Sequence, residues 1–143
     1  MSLIVVDASV AAKWYLATSS EELTQEAFGL LDRYQEGELR FVVPDLFFAE
    51  VANVLWKAVR LGVLGQAAAQ AAITSLQERK VPTVSSTGLL HTAFVIATTF
   101  NSSVYDSLYV ALAIESNGQF VTADKRLVNA LSPHCPIRWL GAL

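Results

Sequence analysis

The sequence predicts an α/β fold built on a mostly parallel sheet, and three observations lead there. Leu3-Ile4-Val5-Val6 is a continuous apolar run with β-branched residues that ends directly in Asp7 and a helix-like segment. Such a run reads as a strand buried on both faces, the kind found in parallel sheets. Gln119-Phe120-Val121-Thr122-Ala123-Asp124 repeats the arrangement of strand, acid and helix near the other end of the chain. Between the two, short apolar runs alternate with segments of helical periodicity, which implies right-handed crossovers between parallel strands.

The elements follow in order. Residues 8–16 read as a short helix after the first strand, with Asp7 or Ser9 as its cap. Thr18-Ser19-Ser20-Glu21-Glu22 has the hydroxyl-then-acid pattern of a second helix start. Leu23, Ala27, Leu30, Leu31 and Tyr34 continue it at helical spacing until Gly37. Phe41-Val42-Val43 is a second strand, stopped by Pro44. A long helix over 46–61, closed by Gly62, is apolar on almost every side. Within it Glu50, Asn53 and Lys57 share one narrow stripe. That stripe is either a thin solvated edge or a carboxylate held in a mostly apolar wall.

Residues 65–79 form an Ala/Gln-rich helix, 81–84 a third strand, and 87–100 a further helix in which His91 has no obvious partner. Asn101-Ser102-Ser103 breaks the chain before a very apolar helix over 104–114, with Asp106 in its first turn. A carboxylate there suits the helix dipole, but Ser102 and Ser103 are available to cap, so Asp106 is not required for that task. Residues 120–122 are the fourth strand, 124–131 the helix after it, and Ile137-Arg138-Trp139-Leu140 a last, edge strand.

At 143 residues the chain is expected to form a single domain over 1–143. A content of 53% apolar and 16% charged residues excludes disorder. The longest uncharged stretch, 81–105, is interrupted by Pro, Ser, Thr, Gly, His and Asn, and its most apolar part, 89–100, is too short for a bilayer. No membrane association is expected. Asp7 interrupts the first apolar run, so no secretory signal is visible. The single cysteine, Cys135, fits a reducing compartment and a cytoplasmic location. It lies in a Ser-Pro-His-Cys-Pro turn, and a zinc site is not expected there for want of a second ligand pair. The net charge of −3 argues against a basic nucleic-acid binder by bulk charge. Setting aside Asp7, Glu50, Asp106 and Asp124 leaves nine acids against ten bases, so these four account for the acidity.

Asp7 and Asp124 leave the sheet at the carboxyl ends of their strands, where open α/β sheets place ligands. If Glu50 and Asp106 join them, four crowded carboxylates raise one another's pKa and are tolerable near neutral pH only with protons or cations. Oxygen donors without His or Cys favour Mg²⁺ or Mn²⁺ over zinc. Two such ions would cancel four negative charges and suit in-line phosphodiester hydrolysis. Thr122 and Ser9 are placed to hold a water or an acid beside the strand ends. Lys13, Lys57, Lys125 and Arg126, each close in sequence to one acid, are candidate contacts for RNA phosphates.

Four blocks of the chain resemble the signature blocks of the PIN-domain ribonucleases, most closely the VapC-like toxins of VapBC toxin–antitoxin systems. They are Val-Val-Asp-Ala-Ser-Val from residue 5, Val-Pro-Asp-Leu-Phe-Phe-Ala-Glu-Val-Ala-Asn-Val-Leu from residue 43, Tyr-Asp-Ser-Leu-Tyr-Val-Ala-Leu-Ala from residue 105, and Val-Thr-Ala-Asp-Lys-Arg-Leu from residue 121. They stand in the family's order over nearly the whole chain. The resemblance implies a three-layer α/β/α sandwich and Mg²⁺- or Mn²⁺-dependent cleavage of RNA. It carries the metal-site acids to Asp7, Glu50, Asp106 and Asp124, the supporting hydroxyl to Thr122, and a polar residue one turn after the glutamate to Asn53. It also implies a homodimer and a small inhibitory antitoxin. Leu127 stands where many members have Phe, from which only a packing change is expected.

Two other readings compete. A receiver or haloacid-dehalogenase-like phosphoryl-transfer domain also has an acid after its first strand, but would want paired acids there, or an acid where Ser9 stands. Neither explains Glu50. A PIN fold that has lost catalysis and only binds RNA or protein is the other, and the presence of all four acids argues against it.

Overall fold

A five-stranded sheet runs through the centre of the computed structural model, which describes residues 2–16 and 22–143. The strands are β1 (Ser2–Val6), β2 (Leu39–Pro44), β3 (Thr83–Val84), β4 (Gln119–Thr122) and β5 (Ile137–Trp139), in the spatial order β3-β2-β1-β4-β5. Every pairing is parallel. β1 is central, and its Val5 faces Val42 of β2 on one side and Phe120 of β4 on the other. The chain builds outward from β1 through β2 to β3, then returns to lay β4 and β5 on the opposite flank. The order therefore reverses between β1 and β4, the point at which open α/β sheets form a crevice beyond the strand ends. Asp7 extends the ladder there, donating its N–H to the Val121 carbonyl at 3.1 Å.

The helices are α1 (Ala8–Ala11), α2 (Thr24–Gln35), α3 (Phe47–Arg60), α4 (Gln66–Glu78), α5 (Leu90–Phe100), α6 (Val104–Glu115) and α7 (Lys125–Leu131). They flank the sheet to give the three-layer α/β/α arrangement. α6 packs on β1, β2 and β4 and is itself covered by α5. That double cover explains its lack of a polar face: every residue from Ser107 to Ala113 is buried. Val5, Val6, Val43, Phe120 and Val121 are wholly buried in the sheet. On β2, Phe41 stacks with Tyr34 of α2 and with Trp14, at ring separations of 4.2 and 5.8 Å. Trp14 also donates its indole N–H to the Ala27 carbonyl at 2.9 Å, tying the segment after α1 to α2.

Some elements differ from the sequence expectation. Residues 8–16 are not one helix: α1 spans four residues and tightens into a 3₁₀ turn, Ala12–Trp14. The helix start expected at 18–21 lies outside the described residues, and α2 begins at Thr24. β3 has two residues, because Pro82 has no N–H to donate and contributes only its carbonyl, which accepts from Val43 at 3.0 Å. The helix expected over 87–100 is split into a 3₁₀ turn, Ser86–Leu89, and α5. Asp45 holds the head of that turn, accepting from the backbone N–H and the hydroxyl of Ser86.

Candidate active site

Asp7 follows the last residue of β1 and is 9% exposed. Its Oδ2 accepts from the Ser9 hydroxyl at 2.7 Å and from the Thr122 hydroxyl at 2.7 Å. The Ser9 oxygen accepts in turn from the Ala123 N–H at 3.3 Å, and the Thr122 oxygen from the Asp124 N–H at 3.1 Å. Each hydroxyl thus receives a backbone proton and passes its own to Asp7. Oδ2 is committed by this chain, and among the described residues Oδ1 has no hydrogen-bond partner. Burial pushes the Asp7 carboxyl up to about 6; the two hydroxyls oppose the rise, and the charges of Asp106 and Glu50 add to it. Asp7 occupies the N-cap position of α1 but makes no side-chain cap bond.

Glu50 lies one turn into α3 and is partly buried. Its Oε1 accepts from the Tyr109 hydroxyl at 2.6 Å. Burial raises the Glu50 carboxyl, the Tyr109 bond opposes this, and the charge of Asp106 adds to it. Tyr109 is wholly buried in α6, with its ring stacked on Phe120 at 5.1 Å. Burial and the neighbouring charges of Asp7 and Glu50 hold its phenol proton far more tightly than usual. Sequence reasoning gave Tyr109 no role. The available signal was a phenol in the middle of an otherwise apolar helix, since a buried hydroxyl needs a partner.

Asp106 and Asp124 divide between them the two readings available to an acid at a helix start. Ser103 caps α6 by accepting the Asp106 N–H at 3.0 Å, so the Asp106 carboxylate is not spent on capping. Burial raises that carboxyl, Ser103 opposes the rise, and the charge of Asp124 adds to it. Asp124 does cap its helix: its Oδ1 accepts from the N–H groups of Arg126 at 3.1 Å and Leu127 at 3.2 Å.

All four acids line one open cavity of about 530 Å³. Asn53 and Ser9 also line it, and Leu46, Ala49, Val54 and Tyr105 are apolar or aromatic members of the same lining. The charges couple in a chain in which Asp106 feels Asp124 and is felt by both Asp7 and Glu50. Among the described residues, no three His, Cys, Asp or Glu side chains gather closely enough to enclose an ion. The acids therefore converge on one cavity, not on one closed ligand cage. Hard oxygen donors of this kind fit Mg²⁺ or Mn²⁺ held by one or two carboxylates and completed by water and substrate, the usual habit of Mg²⁺.

The four basic candidates fare differently. Lys13 is a correction: it is only 8% exposed, in the 3₁₀ turn packed against α2 and α3, and is not presented to solvent as a phosphate contact would be. Lys57 is exposed but lies off the cavity wall, so the stripe expected along α3 delivers only Glu50 and Asn53. Lys125 stands over the Trp139 ring, its Nζ 4.4 Å from the centroid. Arg126 lines an adjoining cavity of about 350 Å³ with Ser102, Ser103, Asp106 and Asp124. Of the four, it is the one placed beside the acids.

Residues 4–130 match the PIN domain. The chain belongs to the PIN-domain family. Ribonuclease VapC3 of Pyrobaculum aerophilum is 35% identical to this PIN domain over 126 residues, covering 87% of the chain and 91% of the relative. Ribonuclease VapC9 of Mycobacterium tuberculosis is 35% identical over 98 residues, covering 68% of the chain and 76% of the relative. Among solved structures, PAE2754 from Pyrobaculum aerophilum superposes with a TM-score of 0.72 at 20% identity, covering 99% of this chain and 91% of that one. The VapC-like character of this PIN domain follows from the named relatives, and the superposition supports the fold.

Proposed function

We propose that this chain is a Mg²⁺- or Mn²⁺-dependent endoribonuclease, acting as a single domain in the cytoplasm as the toxin of a VapBC-type pair. The observation that carries the reading is the meeting of Asp7, Glu50, Asp106 and Asp124, from four separate elements, on one cavity. Family membership and the VapC relatives support the substrate class and an antitoxin partner. Exposed Trp56, Phe94 and Val95 offer apolar surface of the kind that an antitoxin or a second copy would cover.

Asp7, Glu50, Asp106 and Asp124 are the residues that would hold an ion, one or two of them as direct ligands. A divalent ion bound there supplies a water of lowered pKa and stabilises the charge that develops on the phosphate. The chain's own residues do the rest. Ser9 and Thr122 fix Asp7 and turn one oxygen to the cavity. Tyr109 occupies Oε1 of Glu50 and leaves Oε2, on a carboxyl of raised pKa, to accept a proton from water. Arg126 is placed to hold a flanking phosphate in the adjoining cavity.

The test is cleavage of mixed RNA by the purified chain with Mn²⁺. Activity lost with chelator and with Asp7→Asn is the expected result. Activity that survives Asp7→Asn would remove the acid site from the reaction. The binding-module reading predicts RNA retention without cleavage under the same conditions.

A further inference from the structure

We infer that the apolar part of the lining of the acid-lined cavity is a seat for one unpaired RNA base, with Tyr105 as its stacking surface and Asn53 as the group that reads its edge; this rests on the nuclease reading above. A site for phosphate and cations alone gains nothing from apolar walls, which strip water from charge without replacing it. Here Leu46, Ala49 and Val54, on the segment that carries Glu50, and Tyr105, beside Asp106, put apolar surface next to the carboxylates. A base needs that combination, because its faces are apolar and its edge is polar.

Tyr105 is the unusual member of α6. The run from Ser107 to Ala113 is buried, yet Tyr105 is 66% exposed, and among the described residues no other ring stacks on it. It immediately precedes Asp106, so a base on its ring would lie within about one nucleotide of the phosphate at the acids. Asn53 is one turn beyond Glu50 on α3, and it is the only carboxamide among the described residues that line the cavity. The Ser9 hydroxyl, also in the lining, is already committed to Asp7. The Asn53 amide makes no hydrogen bond within the chain among the described residues, and so offers both a donor and an acceptor to a base edge. A base can reach an aromatic face in this way only when it has left a duplex, which makes the substrate a single-stranded segment or a loop.

Binding and cleavage are measured separately. In an Asp7→Asn background with Mn²⁺, Tyr105→Ala should weaken binding of a short single-stranded RNA, read by fluorescence anisotropy, by about tenfold, and Tyr105→Trp should restore it. With Asp7 intact, Tyr105→Ala should raise KM more than it lowers kcat. Asn53→Ala should redistribute the cut sites in a randomised RNA pool at one position beside the cut. Unchanged binding and cut sites in both variants would overturn the base seat while the nuclease reading stands. An effect of Tyr105→Ala confined to self-association, read by analytical ultracentrifugation, would overturn it too and assign the ring to a protein interface. No cleavage of any RNA by the unaltered chain with Mn²⁺ would overturn both.

Discussion

Thr122 donates its hydroxyl to Asp7 at 2.7 Å across a separation of 115 residues, and both groups are buried. The bond joins the ends of β4 and β1 and, with Ser9, keeps a charge tolerable where burial opposes it. The opposition still wins, since the Asp7 carboxyl is pushed from 3.8 up to about 6. A raised carboxylate pKa means that the folded chain binds this proton more tightly than the unfolded one. Without metal, Asp7 therefore lowers stability as pH climbs from about 4 to about 6, and the full loss, on the order of 3 kcal/mol, persists above that window. Glu50 and Asp106 are shifted in the same direction. Chemical denaturation of chelated protein across this range should show the decline, and Asp7→Asn should remove much of it. A variant with the same pH profile as the unaltered chain would contradict the assignment. Added Mn²⁺ should raise the melting temperature at neutral pH, because the ion binds only the folded site.

The acids should separate by their second roles. Asp124→Ala deletes two cap bonds on α7 and should cost about 1 kcal/mol of stability, whereas Asp124→Asn keeps an accepting oxygen and should cost little. Asp106→Asn removes charge from the crowded cavity while Ser103 still caps α6, so metal-free protein should be as stable or more so. All three should abolish cleavage. Equal destabilisation by Asp106→Asn and Asp124→Ala, read from denaturation midpoints, would return Asp106 to a helix-capping role.

The sheet and the acids were readable in the sequence because both rest on local pattern. Leu3 to Asp7 and Phe120 to Asp124 announce a strand, a strand end and a helix within a few residues each. Their convergence was not readable, because it depends on β1 and β4 being neighbours, a pairing no local spacing encodes. Tyr109 escaped for the same reason: its partner, Glu50, lies on another helix 59 residues away. Lys13 is close to Asp7 in sequence, but the 3₁₀ turn carries it to a side packed against α2 and α3. Charge balance and the family blocks single out the same four acids, and the structure brings them to one cavity as a chain of coupled carboxylates.

Gly118 occupies a place where β1 and the start of β4 come too close for a side chain. A Cβ there would lie 2.8 Å from the Leu3 carbonyl oxygen and 3.4 Å from its carbon, both backbone atoms that cannot swing aside. Gly118→Ala should force the strands apart and cost about 1–3 kcal/mol. Because these strands carry Asp7 and Thr122, cleavage should fall as well, even under conditions where the variant is fully folded. A denaturation midpoint equal to that of the unaltered chain would show that the strands part at no cost.

Tyr109→Phe isolates one hydroxyl. The Phe ring keeps the stack on Phe120, while the donor to Glu50 Oε1 is lost. That donor holds the Glu50 carboxyl down against burial, so its loss should raise the carboxyl further and move the acid limb of the cleavage profile to higher pH. A hydrogen bond to a charged group contributes about 1.5–3 kcal/mol, so activity near neutral pH should drop by roughly tenfold or more. Apparent Mn²⁺ affinity, measured by calorimetry without substrate, should weaken alongside. Tyr109→Ala would open a cavity under the sheet and cost about 3–5 kcal/mol, and so could not separate these effects. An unshifted acid limb and unchanged Mn²⁺ affinity in a well-folded Tyr109→Phe protein would reduce the tyrosine to a packing residue.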